Sequence, residues 1–371
     1  MTYKETLFFV AQCLTITLEK KNRILIEEML QAGHIDWEAV VKVSTSHYVM
    51  PALYCNLKRV GYLNYLPEDL VAYMKHITEL NRERNLQIIQ QAKELNELLV
   101  ANDITPVFLK GTGNLLEGLY KDIAERMVGD IDFIVSKDNY PKAIEVLRVN
   151  KYQTVSKKKY FHPSFKHHPR LKKRDGIGAV EIHKELLKEK YALEFNFDLI
   201  SKDVQELNEV SVLGFEDQLA LSIIAKQIND DGFHYKNIAL RNAYDVFLLS
   251  KKVNAKHVIS KFKTLRNPLN CFLASCYITF GNVDSLAYKS TKETNQYVAI
   301  FNDLISNSDK SKARRKRIDR QLFIKSRLGI LYKSIFDKEH RVWLFKRIAD
   351  SNWQQEKLVQ LGLKKKARKY S

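Results

Sequence analysis

The spacing of apolar residues changes twice along the chain, and this change limits the folds that the chain can adopt. Over residues 1–101 apolar side chains recur every three or four positions, which predicts helices. Over residues 102–212 short apolar runs alternate with helical segments, which predicts a small β-sheet with helices packed on one side. Over residues 213–371 the spacing is helical again and the chain ends in a basic tail. We therefore expect an α+β protein whose small mixed β-sheet is flanked by two helical regions.

Three segments of the central region carry polar residues beside predicted strands. A strand over Thr105–Leu109 meets Lys110 and Gly111, and a helix then begins. The segment "RMVGDIDFIV" predicts a strand that carries Asp130 and Asp132. The segment "AVEIHKEL" predicts a later strand with Glu181 and His183 on one face, and the sheet should bring these strands together.

The Asp-x-Asp pattern places two carboxylates on one face of a strand. Successive strand residues point to opposite faces, so Asp130 and Asp132 share a face while Ile131 and Phe133 share the other. Two carboxylates about 7 Å apart repel each other. A divalent metal ion or a Lys or Arg partner would relieve this repulsion, and solvated acids at a strand end are a third possibility.

The central region contains the groups that phosphoryl or nucleotidyl transfer requires. Such transfer uses carboxylates that hold metal ions about 3.5–4 Å apart, and backbone N–H groups that hold phosphate oxygens. Gly111 lies between a strand and a helix start, where a phosphate can approach the backbone closely. Glu181 has the alternation needed to join Asp130 and Asp132 in a cluster of three carboxylates.

These segments carry a resemblance to a known family. "FLKGTGNLLEGLY", "RMVGDIDFIV" and "AVEIHKEL" together resemble the signature of the uncharacterised bacterial nucleotidyltransferase family, within the DNA polymerase β-like nucleotidyltransferase superfamily. In such enzymes a glycine-led helix start precedes a strand with Asp-x-Asp, and a third acid lies on a neighbouring strand. Flanking segments such as "LRNAYDVFLLSKK" also fit, so the resemblance covers roughly residues 30–280.

The resemblance implies an activity and roles for particular residues. It implies an enzyme with a polymerase β-like fold. This enzyme would move a nucleoside monophosphate from a nucleoside triphosphate, such as ATP, to an acceptor hydroxyl, with Mg²⁺ or Mn²⁺ as cofactor. Asp130 and Asp132 would be metal ligands, and Glu181 would act on the metal or as general base toward the acceptor. The residues implied in triphosphate binding are Lys110, Gly111, Thr112 and Arg126.

Two departures from the superfamily leave alternatives open at the phosphate site. The usual glycine pair is replaced by Lys110 and Gly111. The stretch of chain between Gly111 and Asp130 is also longer than the corresponding stretch in better-known members of the superfamily. Lys110 could instead form a salt bridge with either aspartate, and Arg126 could belong to a structural ion pair. His183 could contribute to the site or simply pack in the strand.

The charge of the chain bears on its partners. The net charge of +18, with 61 Lys and Arg against 43 Asp and Glu, attracts anions. It favours an anionic acceptor such as RNA or a phosphorylated sugar, although a protein acceptor stays open. The rival interpretation is a non-catalytic RNA-binding or scaffold protein on a degenerate nucleotidyltransferase fold, with Phe323 and Tyr332 among its base-stacking residues. Their helical spacing instead predicts that these two aromatic residues belong to a core.

Cysteine usage and hydropathy predict where the protein works. The four cysteines are scattered and form no C-x-x-C pair, which is typical of a reducing compartment. No uninterrupted apolar run approaches the 18 or so residues of a spanning helix. We therefore expect a cytoplasmic protein without a membrane span.

Overall fold

The computed structural model describes residues 1–155, 163 and 167–360, and it confirms the expected α+β class. The chain divides into two compact units, Met1–Val155 with Lys166–Lys312 and Ser156–Phe165 with Ala313–Ser371. The division into three regions, made from apolar spacing, stays a prediction. Among the described helices, none combines the length and the apolar character that crossing a membrane requires.

The N-terminal part of the first unit is helical, as its apolar spacing predicts. Asp36 caps the third helix, since its side chain accepts the Ala39 N–H. Pro67 immediately precedes the longest of these helices, where its fixed φ suits a helix start. The helices are α1 (Tyr3–Cys13), α2 (Lys20–Gln31), α3 (Trp37–Ser46), α4 (Met50–Arg59) and α5 (Glu68–Val100).

Seven described strands form one mixed sheet in the first unit. They are β1 (Val107–Phe108), β2 (Asp130–Ile134), β3 (Gln153–Thr154), β4 (Leu171–Lys172), β5 (Ala179–His183), β6 (Gln205–Leu207) and β7 (Val210–Val212). Their order across the sheet is β3-β4-β5-β2-β1-β7-β6. The helices between these strands are α6 (Lys110–Glu117), α7 (Asn139–Val149) and α8 (Phe197–Ile200).

The first strand is shorter than the predicted Thr105–Leu109 because α6 begins at once after it. Leu109 is already the N-cap residue of α6. The helix also approaches the strand very closely, since a Cβ added to Gly113 would lie 2.7 Å from the Phe108 carbonyl oxygen. Glycine at position 113 therefore permits the tight passage from β1 into α6.

Strands β2 and β5 determine where the acids lie. They pair in parallel, with Asp132 opposite Glu181 and Ile134 opposite His183. Ile131 and Phe133 are fully buried on the other face of β2. Because side chains of paired residues point to the same face of a sheet, Asp132 and Glu181 emerge side by side.

Helices also follow the sheet, as predicted. The helices are α9 (Phe215–Ile224), α10 (Gly232–Tyr235), α11 (Leu240–Ser250), α12 (Ala255–Ser260), α13 (Arg266–Thr279), α14 (Lys292–Ser306), α15 (Ser308–Phe336), α16 (Lys338–Ile348) and α17 (Ser351–Gln360). A π-helical turn, Ala225–Asn229, continues α9. Such turns are rare and occur often at functional sites.

One expectation about the second unit is wrong. Phe323 and Tyr332 were expected in a core, yet their exposed fractions are 44% and 66%. The second unit is small, and a short chain cannot cover all the apolar side chains of its helices. The basic tail from residue 361 and most of the basic segment at 156–166 lie outside the described residues.

Candidate active site

A cavity of about 410 Å³ lies where β2, β5 and the start of α6 face α9 and α11. Its walls include every residue proposed from the sequence except Thr112. The helical region after the sheet contributes Arg241 and Asp245 to the same cavity. The predicted site is therefore a concave, strongly polar space in the first unit.

Two carboxylates and an imidazole converge inside this cavity. Asp132, Glu181 and His183 are 7%, 6% and 5% exposed. Each offers one ligand atom, and these atoms lie within 4.8 Å of one another, so a single metal ion could contact all three. The Nε2 atom of His183 lies 2.8 Å from Asp132 Oδ1, and Asp130 lies half-buried at the start of β2.

Two cationic side chains hold the three acids in this structure. Lys110 Nζ lies 2.6 Å from Asp132 Oδ1 and 4.0 Å from Glu181 Oε2. Arg170 bridges the other two, with Nη2 2.8 Å from Asp130 Oδ2 and Nε 2.6 Å from Glu181 Oε1. The salt bridge considered for Lys110 from the sequence is thus present. Three carboxylates still outnumber two cations, which leaves negative charge for a further cation.

The pKa values follow from these contacts. Burial opposes ionisation of Asp132, but the Lys110 ammonium and the His183 hydrogen bond outweigh it and hold the pKa of Asp132 below its usual value. Burial raises the pKa of Asp130, and repulsion from Glu181 and Asp132 adds to this effect against the opposing Arg170. Burial and the neighbouring Lys110 lower the pKa of His183, against the hydrogen bond to Asp132, which raises it. This shift favours the neutral imidazole, which is the form that binds metal ions.

The start of α6 has the conformation that the glycine pair would predict. Lys110 has a φ of 53°, the left-handed region that favours glycine. A Cβ added to Gly111 would lie 3.0 Å from Val128 Cγ2, so this position has little room for a side chain. The Thr112 hydroxyl donates to the Asp130 carbonyl oxygen at 3.0 Å and is buried, so it ties α6 to β2.

Arg126 lines the cavity and is also held in an ion pair. Its Nε and Nη2 atoms lie 3.0 Å and 2.9 Å from the two carboxylate oxygens of Asp245 in α11. Burial opposes the charge of Arg126, but Asp245 outweighs this and raises the pKa of the guanidinium. The structural ion pair considered from the sequence is therefore present, and it places Arg126 beside Gly111.

Sequence reasoning missed Arg170, Asp245 and Arg241. Arg170 lies in a basic segment, and no local sequence pattern distinguishes it from the Lys and Arg residues around it. Asp245 did carry a signal, because an acid inside the apolar helix segment "NAYDVFLL" must find a partner when it is buried.

Comparison with known proteins adds a family match to this geometry. The model of a family described as "Uncharacterised nucleotidyltransferase" matches residues 33–280, which include every cavity residue named above. The crystal structure of JHP933 from Helicobacter pylori is similar at 15% sequence identity, with a TM-score of 0.29. That similarity covers 63% of this chain and 97% of JHP933. No curated protein matches the chain.

Proposed function

We propose that the cavity transfers a nucleoside monophosphate from a nucleoside triphosphate to an acceptor hydroxyl with a divalent metal ion, because the chain belongs to the uncharacterised nucleotidyltransferase family. The observation that supports this most strongly is the register of β2 and β5, which brings Asp132 beside Glu181 and His183. These buried groups lie within the segment that the family model matches.

The side chains fit a divalent metal ion. Asp132, Glu181 and His183 would hold it, with Asp130 at the rim as a further ligand. Carboxylates suit Mg²⁺ and Mn²⁺, and an imidazole suits Mn²⁺ better than Mg²⁺. When bound, the ion would lower the pKa of the acceptor hydroxyl and neutralise charge on the triphosphate. Glu181 would act on the metal or accept the hydroxyl proton.

Lys110 would exchange partners when the nucleotide binds. Its ammonium donates to Asp132 Oδ1 in this structure, and its side chain is 29% exposed. Phosphate oxygens are strong acceptors for an ammonium group, so a bound triphosphate offers Lys110 an alternative partner. The backbone at Gly111, at the start of α6, then lies next to the same phosphates.

The proposal leaves the acceptor and the nucleotide base open. The net positive charge favours an anionic acceptor, such as RNA, a phosphorylated sugar or an acidic protein surface. The four cysteines are unpaired and buried, which is compatible with work in the reducing cytoplasm.

The test of this function is transfer of label from each of the four α-labelled ribonucleoside triphosphates in the presence of Mg²⁺ or Mn²⁺. Label in protein, RNA and sugar-phosphate acceptors and the release of pyrophosphate are measured together. We expect activity with at least one nucleotide, a fall to background after EDTA treatment, and recovery when metal is restored. No product with any nucleotide, metal and acceptor class, or activity unchanged by EDTA, would contradict the proposal.

A further inference from the structure

Arg241 is a cation of the cavity that has no acidic side chain at ion-pair distance among the residues that the structure describes. It lies in the first turn of α11, and its guanidinium packs over the Tyr48 ring at 5.1 Å. Within the described part of the chain its side chain makes no hydrogen bond and no ion pair. A half-buried guanidinium without an anionic partner is energetically unfavourable, because burial removes water that would otherwise solvate the charge.

The nearest buried acid already has its partners. Both oxygens of Asp245 accept from Arg126, and Oδ1 also accepts from the Tyr120 hydroxyl at 2.7 Å. Asp230 lines the same cavity but lies beyond ion-pair distance from Arg241. Burial and the neighbouring Arg126 lower the pKa of Arg241, although Asp245 and Asp230 attract its charge. Because Asp245 is paired with Arg126, Arg241 faces the cavity without an acid at ion-pair distance among the described residues.

The position of these cations relative to the acids indicates which anion they suit. Arg126 Cζ lies 3.6 Å from the position that a Cβ on Gly111 would occupy, and Gly111 follows Lys110, which contacts Asp132. Arg126 thus lies beside the start of α6, and Arg241 lines the same cavity as the carboxylate cluster. A phosphate chain that extends from a metal-bound phosphate past the start of α6 would find guanidinium groups there as donors.

We propose that Arg241, together with Arg126, binds the terminal phosphates of the nucleoside triphosphate. The inference rests on the proposed function and deepens it, because it assigns part of the nucleotide site to the helical region after the sheet. The planar guanidinium of Arg241 can donate two hydrogen bonds to one phosphate group, which an ammonium cannot do with the same geometry. Asp245 acts as a positioning residue that holds Arg126 in place.

The experiment measures the affinity of the full chain for inorganic tripolyphosphate by calorimetry, without divalent metal, so that no metal ion links the phosphates to the carboxylate cluster. We expect Arg241→Gln to weaken binding at least about tenfold and Arg241→Lys to have an intermediate effect. The matched control is Arg148→Gln, since Arg148 is exposed on α7 and outside the cavity, and it should bind within about twofold of wild type. Circular dichroism and thermal unfolding establish that each variant is folded.

Further outcomes separate this inference from the proposed function. Tripolyphosphate affinity that is unchanged in Arg241→Gln, or lost equally in Arg148→Gln, would overturn the inference. If Arg241→Gln loses affinity only for a phosphate monoester and not for tripolyphosphate, the inference is also overturned, because the cations would then bind a phosphate of the acceptor. Tripolyphosphate binding that depends on Arg241 in a protein without label transfer would support this phosphate site and count against the proposed reaction.

Discussion

An Asp132→Asn protein is expected to lose nucleotidyl transfer by at least about 10³-fold, or about 4 kcal/mol of transition-state stabilisation. Asp132 contacts both Lys110 and His183 and lies opposite Glu181. Asparagine keeps the size of the side chain but removes the negative charge that attracts the metal ion. The measurement is the initial rate of pyrophosphate release from the preferred nucleotide, with thermal unfolding to establish that the variant is folded.

The matched control for this change is Asp138→Asn. Asp138 is exposed, lies six residues further along the chain and does not line the cavity. Its rate should stay within about twofold of wild type. An Asp132→Asn protein that retains more than about a tenth of the wild-type rate would argue against a catalytic role for this carboxylate.

Replacing Asp245 with leucine is expected to lower the free energy of unfolding by about 3–5 kcal/mol. The change leaves the Arg126 guanidinium, only 6% exposed, without a counterion. It also removes the acceptor of the Tyr120 hydroxyl in the same buried network. The measurement is urea unfolding at pH 7.

The double variant Arg126→Met with Asp245→Leu is the control for this prediction. It removes both charges together, so no buried ion is left without a partner, and it should recover much of the lost stability. A loss below about 1 kcal/mol for Asp245→Leu alone would contradict the account. A double variant less stable than the single variant would contradict it as well.

The sequence predicts the carboxylates of the site better than it predicts their counterions. Alternation along a strand is a local property, so it predicts that Asp130 shares a face with Asp132, and Glu181 with His183. The resemblance to the nucleotidyltransferase family predicts that the strand with Glu181 lies next to the strand with Asp130 and Asp132. The residue-by-residue register of β2 against β5 is set by packing across the whole sheet, and it emerges only in the structure.

Counterions are harder to predict because their partners are distant in sequence. The chain has 61 Lys and Arg residues, and no local rule selects Arg170 for Asp130 or Arg126 for Asp245. Strand length was also overestimated at Thr105–Leu109, because the close approach of Gly113 to Phe108 is a tertiary contact. Burial in the second unit was misjudged at Phe323 for a related reason: helical spacing does not reveal how many neighbours a helix has.

The central claim is that Asp132, Glu181 and His183 enclose a divalent metal ion beside a bound nucleotide. Its most direct test is the binding of Mn²⁺ measured by electron paramagnetic resonance, with a non-hydrolysable triphosphate analogue present and the analogue alone as reference. We predict at least one additional bound Mn²⁺ per wild-type chain, and at least about tenfold weaker binding in Glu181→Gln. If the wild-type protein binds no Mn²⁺ beyond that held by the analogue, Lys110 and Arg170 remain paired with the carboxylates and exclude the metal ion. This result would contradict the account.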